Sequence, residues 1–404
     1  MSAPSPRWRG GAISALVVAS ASALAGPVGD CERALARGRI ELCLEDEVAL
    51  LADVAQVAQD VRERNQGVGG SLHLVRWLHG PEEALRTADR WAAEHPDLAT
   101  PEALYLERML AWLELDDREQ ALQELRAIER DAERIDVNLY DHWAFELGLK
   151  RPPYRRWERF TDGEYTLVAQ SSRVCRRGPL LLTVAPGQFS LGHARPRPGV
   201  PIEALTTQRH ERLRRELARV GIEDPGPVEL VVYRWREAVT RFPGRRGLEH
   251  AAFALPELGR AHDACDLRSL HEDVHVALAN HGGLRLDQLL SEGFATALDG
   301  VERDLRTQEL AAYAARLGSL DEVWMAFFEW PDVVDRLGPP PGGSHAFAAS
   351  FCAFLLTRLD GRGLDEALRH AGVRSELLER GFGLTESQAL DGWQRWLAGE
   401  PSSK

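Results

Sequence analysis

The chain has 404 residues, of which 44% are hydrophobic and 27% are charged, and this balance excludes a wholly disordered chain, a collagen and a polytopic membrane protein. Asp and Glu number 62 against 49 Lys and Arg, which gives a formal net charge of −13. An acidic chain argues against nucleic acid as the main partner and against broad attraction to anionic lipid.

The first residues are typical of a secretory signal sequence. Arg7 and Arg9 give a positive start, residues 12–25 form an uncharged apolar run, and Ala23-Leu24-Ala25 has the small-x-small pattern of a signal peptidase site. We therefore expect residues 1–25 to be a signal peptide and the mature protein to be exported to the periplasm, envelope or exterior of a bacterium. An uncleaved N-terminal anchor is the alternative that the same pattern allows.

Export affects the interpretation of the five cysteines. Cys31 and Cys43 lie close together, and in an oxidising compartment they could form a disulfide between two short helices. Cys175, Cys265 and Cys352 lie in separate segments and are expected to be small buried hydrophobic residues. The sequence contains no CxxC, which argues against a metal site built from thiolates.

Residues 26–150 are predicted to form an all-helical module. Apolar residues recur there at three- and four-residue spacing, which is the pattern of amphipathic helices. The predicted helices include one with Leu50 to Val61, one that begins at Pro81, one that begins at Pro101 and one with Ala121 to Ile128. Paired helices with short loops resemble tetratricopeptide repeats, and a plain helical bundle fits equally well. Either form would bind a protein partner or act as a spacer.

Residues 151–404 begin with short strands and continue with helices. Alternating or β-branched apolar runs predict strands, and a charged amphipathic pattern predicts one helix among them. The predicted strands are residues 164–170, 180–184, 228–233 and 251–255, and the helix is residues 201–220. From Asp266 onward nearly every segment has a helical pattern. Strands followed by helices predict an α+β fold with a small sheet and a mainly helical C-terminal part.

The chemistry of the chain centres on His271-Glu272-Asp273-Val274-His275, an HExxH motif. Residues four apart on a helix lie about 40° apart around its axis, so both imidazoles can bind one metal ion. Glu272 lies at the edge of the same face, where it can take a proton from water activated by the metal. Without a metal, the motif would be a solvated helix face with a salt bridge.

A third ligand is expected from the next helix. Glu292 follows His275 by 17 residues, in the segment Leu289-Leu290-Ser291-Glu292-Gly293-Phe294-Ala295-Thr296. Hydrolytic zinc sites take three protein ligands and keep one position open. The loop His281-Gly282-Gly283 lets the second helix return beside the first. His281 is expected to be a loop residue, and His262 to lie on an edge strand or a surface loop.

The two motifs together resemble the gluzincin zinc metallopeptidases, and most closely the peptidase-MA-like bacterial proteins. HEDVH and LLSEGFATAL carry this resemblance, which extends over residues 157–397. It implies a peptidase fold at residues 151–404, one zinc ion per chain and hydrolysis of peptide bonds. By the same resemblance His271, His275 and Glu292 are the zinc ligands, Glu272 is the general base, and His345 takes the place of a residue that stabilises the oxyanion.

The sequence departs from the family at three points. Asp273 stands where an apolar or small residue is usual, and we expect it to point away from the ligands and to pair with Arg268 or Arg212. Thr296 stands where thermolysin-like enzymes carry a supporting Asp, which leaves the partner of His271 unidentified. No exopeptidase motif of the GxMEN type precedes the HExxH, so the resemblance implies an endopeptidase.

Two functions are therefore open. One is an exported zinc hydrolase, either a metallopeptidase that acts on a peptide or protein substrate or an enzyme that acts on something other than a protein, such as a cell-wall peptide. The other is a catalytically silent exported scaffold, with binding helices and a peptidase-like domain. Intact His271, Glu272, His275 and Glu292 favour the enzyme, and Asp273 and the unidentified support of His271 keep the scaffold open.

Overall fold

A computed structural model describes Arg37 and most of the chain between residues 68 and 400. The residues of that span that are not described are 70–71, 74, 78, 96–101, 132–136, 151–156, 170–172, 175–179, 186–187, 193–199, 234–251, 265–268, 302 and 360. Three predictions lie outside the described residues: the signal peptide at residues 1–25, the Cys31–Cys43 pair and the helix with Leu50 to Val61. Cys175, Cys265 and Arg268 also lie outside them.

Helices make up most of the described chain. They are α1 Pro81–Glu94, α2 Glu102–Glu114, α3 Arg118–Asp131, α4 Val137–Glu146, α5 Ile202–Ala218, α6 His271–Asn280, α7 Gln288–Leu298, α8 Gln308–Ala314, α9 Leu320–Phe327, α10 Pro331–Leu337, α11 Ser344–Leu356, α12 Leu364–Leu368, α13 Arg374–Glu376 and α14 Glu386–Leu397. Short 3₁₀ turns cover Pro256–Leu258 and Gly283–Arg285, and a π-helical turn covers Leu377–Gly381. None of the described helices is both long enough and apolar enough to cross a lipid bilayer.

Strands are fewer and short. They are β1 Glu158–Asp162, β2 Tyr165–Ala169, β3 Arg173–Val174, β4 Leu180–Ala185, β5 Gln188–Gly192, β6 Val200–Pro201, β7 Val228–Tyr233, β8 Ala252–Leu255 and β9 Arg260–Ala264. β3 pairs with β6 and β4 with β5, and the remaining five strands form the main sheet. The described residues therefore have a mixed α+β fold, as the sequence predicts.

The main sheet has the strand order β1–β2–β7–β9–β8. β2, β7 and β9 run parallel to one another, and the edge strands β1 and β8 are antiparallel to their neighbours. Central parallel strands are covered on both faces, which explains the unbroken apolar composition of β7. α5 lies in the connection from β2 to β7.

The two faces of the sheet pack against different helices. Leu167 and Leu230 belong to the larger hydrophobic core, which includes residues from α5 through α14. Val168 and Val231 point the opposite way, because successive residues of a strand alternate between faces. They belong to a second core with residues of α2, α3 and α4. The sheet is thus the middle of three layers, with the helices of residues 102–146 on one side and the HExxH helix on the other.

Two strands of the main sheet, β1 and β9, were not predicted, and β9 changes the environment of His262. β1 and β9 carry charged residues, and β9 lies inside the sheet between β7 and β8. His262 was expected at an edge or surface, but its side chain is fully buried. Its ring stacks on Phe253 with centroids 4.3 Å apart, and its Nδ1 lies 3.0 Å from the hydroxyl of Tyr233. Aromatic stacking and this hydrogen bond make burial of the imidazole tolerable.

Candidate metal centre

The HExxH motif forms the first turn and a half of α6. His271 is the first residue of the helix, and the preceding Leu270 supplies no side-chain cap. Instead, the backbone N–H of His271 donates to the hydroxyl of Ser269 at 3.1 Å, and the N–H of Leu270 donates to the carbonyl of Asp299 at 3.0 Å. Contacts from elsewhere in the chain therefore hold the end of α6 that carries the motif.

The chain reverses after α6 and returns as α7, which carries Glu292. Gly282 has φ of 95° in this turn, a conformation that glycine adopts without steric cost. Asp287 caps α7, because its carboxylate accepts a hydrogen bond of 3.0 Å from the N–H of Leu290. His281 lies in the turn as predicted, with Nε2 2.6 Å from the carbonyl oxygen of Asp224.

His271, His275 and Glu292 converge on one point. His271 Nε2 lies 3.1 Å from His275 Nε2 and 3.0 Å from Glu292 Oε2, and His275 Nε2 lies 3.6 Å from the same oxygen. Zinc with bonds of 2.0–2.1 Å and tetrahedral geometry separates its ligand atoms by ~3.3 Å. The three atoms thus fit around one zinc ion in spacing and in chemistry, since two imidazoles and a carboxylate are a common hydrolytic ligand set.

Each imidazole also has a hydroxyl at its other nitrogen. Ser291 Oγ lies 3.1 Å from His275 Nδ1, and Thr296 Oγ1 lies 3.4 Å from His271 Nδ1. A hydrogen bond at Nδ1 fixes the tautomer that leaves Nε2 free to bind a metal. Thr296 is therefore the partner of His271 that the sequence left unidentified. Ser291 was missed; it directly precedes Glu292 on α7 and reaches the far nitrogen of His275 from the side of the site.

Three histidines surround the carboxylate of Glu292. Burial raises the pKa of this carboxyl group, but the combined effect of His275, His271 and His345 lowers it by more than burial raises it. The pKa of Glu292 therefore lies well below its usual range. His345 comes from the first turn of α11 and places Nε2 3.2 Å from Glu292 Oε2. Half of the His345 side chain is exposed, so it lies at the open side of the site.

Glu272 occupies the second position of α6 and is partly buried. It is not one of the three residues whose ligand atoms converge. On a helix it is rotated by about 100° from His271, which sets its carboxylate beside the ligands rather than among them. This position is compatible with a proton acceptor next to a metal ion.

Gly293 lets α7 and α11 pack at unusually short distance. A Cβ atom on this glycine would lie 2.4 Å from the sulfur of Cys352 and 2.7 Å from the carbonyl oxygen of Ala348. Cys352 is fully buried, as expected, and burial raises the pKa of its thiol well above the ordinary value. The glycine after Glu292 therefore brings the helix of His345 up to the helix of Glu292.

Asp273 does point away from the candidate ligands, and among the described residues it pairs with an arginine that was not expected, while Arg268 lies outside the described residues. Its carboxylate is fully buried, forms an ion pair with Arg209 of α5, and accepts a hydrogen bond of 2.9 Å from the hydroxyl of Tyr165. Arg212 instead donates to the carbonyl oxygens of Asp299 and Gly300 at the end of α7. Arg209 and Arg212 are about one helical turn apart on α5, and Arg209 is the one that also contacts Tyr165 of the sheet.

Comparisons with protein-family models, with curated proteins and with solved structures found no match to this chain. The resemblance to the gluzincins thus rests on the motif residues and on the arrangement of their side chains.

Proposed function

We propose that this chain is an exported zinc metallopeptidase of the gluzincin type, acting as an endopeptidase. The observation that carries the proposal is the convergence of His271 Nε2, His275 Nε2 and Glu292 Oε2 within 4.8 Å of one another. Glu272, the candidate general base, directly follows His271 in the sequence, as the glutamate of the HExxH motif does in the family. The hydroxyls of Ser291 and Thr296 support the same proposal, because a hydrogen bond at Nδ1 orients each imidazole with Nε2 free to bind a metal.

His271, His275 and Glu292 would hold the zinc ion. Zinc bound there supplies Lewis acidity, which polarises a carbonyl group and lowers the pKa of water towards neutrality. Glu272 accepts the proton of the attacking water and delivers it to the leaving amine. His345, at the open side of the site, donates a hydrogen bond to the oxygen on which negative charge develops.

The carboxylate of Glu292 is ionised at neutral pH, as an ordinary glutamate is, so it can bind a cation without first losing a proton. The two neighbouring imidazoles must be neutral to bind the metal, so zinc uptake releases any proton that they carry.

The experiment that tests the proposal is metal analysis of the purified protein, with wild type beside His275→Ala. About one zinc per wild-type chain and almost none in the variant are expected. His281→Ala is the matched control, because this histidine lies six residues further on and bonds to the backbone instead. Equal zinc in all three proteins, or none in the wild type after reconstitution, would refute the proposed centre. Hydrolysis of a denatured protein by the zinc-loaded wild type then tests the peptidase itself.

A further inference from the structure

The HExxH motif has a buried charge on its rear side. Asp273 lies two residues from each ligand histidine, so its side chain is rotated by about 200° from both imidazoles around the axis of α6. Its side chain has no solvent exposure. A carboxylate so placed needs hydrogen-bond donors of its own, because desolvation of an ionised group is costly.

Arg209 and Tyr165 meet this need in a closed arrangement. The guanidinium of Arg209, 3% exposed, contacts Asp273 Oδ2, and the hydroxyl of Tyr165 donates to Asp273 Oδ1 at 2.9 Å. Arg209 Nε in turn donates to the hydroxyl of Tyr165 at 3.2 Å. The three side chains come from α6, α5 and β2, so they tie the metal-binding helix to both a neighbouring helix and the sheet.

Arg209 also holds the chain just before the motif. Its Nη2 donates to the carbonyl oxygen of Ser269 at 3.1 Å, while the hydroxyl of Ser269 accepts from the N–H of His271. One turn later on α5, Arg212 donates to the carbonyl oxygens of Asp299 and Gly300, which follow α7. Neighbouring turns of α5 thus contact the start of the first ligand helix and the end of the second.

Stability alone does not explain this arrangement. A buried ion pair is often no more stabilising than apolar side chains of similar volume. Leu270 and Val274, close to Asp273 in the chain, are fully buried in the core, so apolar side chains that replaced both Asp273 and Arg209 would suit the same place. A charged pair adds hydrogen bonds with defined directions. The contacts of Asp273 with Arg209 and Tyr165 therefore fix the rotation of α6 about its own axis.

That rotation matters for metal binding. Side-chain ends lie about 5–6 Å from a helix axis, so a rotation of α6 by 10° would move both imidazoles by ~1 Å. Metal–ligand distances tolerate only about 0.2 Å. Because both histidines are on α6 and Glu292 is on α7, rotation of α6 changes the distance of two ligands from the third.

We propose that α5 is a positioning helix for the metal centre, and that Arg209 sets its metal affinity by holding Asp273 and the carbonyl of Ser269. Arg209 and Asp273 are positioning residues that bind neither metal nor substrate. The inference rests on the proposed metal site but does not require that the site hydrolyse peptides.

The test measures metal affinity by titration with Co²⁺, whose visible absorption reports the geometry of its ligands. Asp273→Asn keeps the shape of the side chain and removes its charge. We expect Co²⁺ binding to weaken by about 10- to 100-fold, the usual effect of losing a residue that orients a ligand, and the absorption band to shift. The same weakening is expected for Zn²⁺ in competition with a chelator.

A matched control separates positioning from stability. Glu107→Gln removes the charge of another buried carboxylate, which pairs with Arg76 at 3.0 Å among the N-terminal helices. It should lower the melting temperature as Asp273→Asn does, and leave Co²⁺ affinity and spectrum unchanged. Two further variants cover the event that Asp273→Asn does not fold. They are Tyr165→Phe, which removes one donor, and Arg209→Met with Asp273→Leu, which keeps the site packed and apolar.

Each outcome has a distinct meaning. Weaker Co²⁺ binding in the Asp273, Tyr165 or double variant, with normal binding in Glu107→Gln, supports the inference. Folded variants that bind Co²⁺ within twofold of the wild-type affinity, with the same spectrum, would overturn it. A wild type that binds no metal would refute the proposed centre and the inference with it. A wild type that binds metal and hydrolyses no peptide would refute the peptidase and leave the positioning role standing.

Discussion

Gly293 of α7 lies against Cys352 of α11 so closely that a Cβ atom on the glycine would stand 2.4 Å from the cysteine sulfur. The glycine has ordinary helical backbone, so space and not conformation demands it. We expect Gly293→Ala to push α7 and α11 apart, to lower the free energy of unfolding by about 1–3 kcal/mol and to weaken zinc binding by Glu292, the adjacent residue. Thermal unfolding and zinc titration measure both effects.

The control for this variant is Gly318→Ala. A Cβ atom there would meet only Glu322 Oε2, at an ordinary contact distance of 3.8 Å. Combining Gly293→Ala with Cys352→Ala removes the sulfur from the clash and should recover part of the loss, while the carbonyl of Ala348 limits the recovery. Wild-type stability in Gly293→Ala would contradict the packing argument.

Replacing Glu272, the proposed general base, separates metal binding from catalysis. Glu272→Gln should bind zinc as the wild type does, because Glu272 is not one of the converging ligands, and lose about 10²- to 10⁴-fold in kcat, because the amide accepts no proton. Zinc analysis and a peptide-hydrolysis assay on the same sample check this. Retained turnover would reject Glu272 as the base, and a zinc-loaded wild type without any hydrolysis would favour the silent scaffold.

The third ligand is tested by Glu292→Ala. Its carboxylate lies within 3.6 Å of the Nε2 atoms of His271 and His275, so its loss removes one of the three candidate ligands and the only negative charge among them. We expect zinc affinity to fall by about 100-fold or more, measured by competition with a chelator. Glu309→Gln, at an exposed position of α8, is the control. Unchanged occupancy in Glu292→Ala would mean that the third ligand lies elsewhere.

His345 is expected to act on the reaction and not on the metal. Its Nε2 contacts Glu292 Oε2 at 3.2 Å, and it is not among the three converging ligands. His345→Ala should therefore keep about one zinc per chain while kcat falls by about 10²-fold with a smaller change in KM, as expected on loss of an oxyanion donor. Loss of zinc from this variant would instead identify His345 as a ligand.

The cap of α7 makes stability depend on pH. Burial raises the pKa of Asp287 to about 6, despite the hydrogen bond from the N–H of Leu290. For an acid whose pKa is higher in the folded than in the unfolded state, the contribution to stability is full below about pH 4 and is lost as pH rises towards 6. Asp287→Asn keeps the cap and avoids the charge, so it should be more stable than wild type above pH 6.

The gain is about 1–2 kcal/mol, after allowance for the partial exposure of Asp287. It should shrink towards zero at pH 4, as measured by thermal unfolding across that range. Asp391→Asn, at an exposed position of α14, is the control. A gain that is the same at pH 4 and pH 7 would show that ionisation of Asp287 is not its cause.

The convergence of His271, His275 and Glu292 was predictable because it depends on local rules. Four-residue spacing puts two imidazoles on one helix face, and paired glycines let the chain reverse towards a second helix. Their binding of zinc stays a prediction. The hydroxyls of Ser291 and Thr296 follow from the same helix geometry once the direction in which α7 packs is known, and no sequence pattern gives that direction.

Other features depend on contacts between distant parts of the chain. Asp273 pairs with Arg209, 64 residues away, and no sequence pattern distinguishes Arg209 from Arg212 as its partner. β9 was missed because its residues Arg260, His262 and Asp263 lack an apolar pattern, and its place inside the sheet follows only from its pairing with β7 and β8. The sequence likewise predicts a domain boundary near residue 150, but it does not show that α2–α4 share a hydrophobic core with the sheet.

That shared core has a consequence for how the protein can be divided. A fragment beginning at residue 151 would keep every residue of the candidate centre and still present Val168, Val231, Tyr233 and Phe253 to water on the rear of its sheet. An uncovered apolar sheet face invites aggregation. The N-terminal helices thus serve as the other half of a folding unit, and their removal would uncover the sheet behind the candidate metal centre although none of their described residues belongs to that centre.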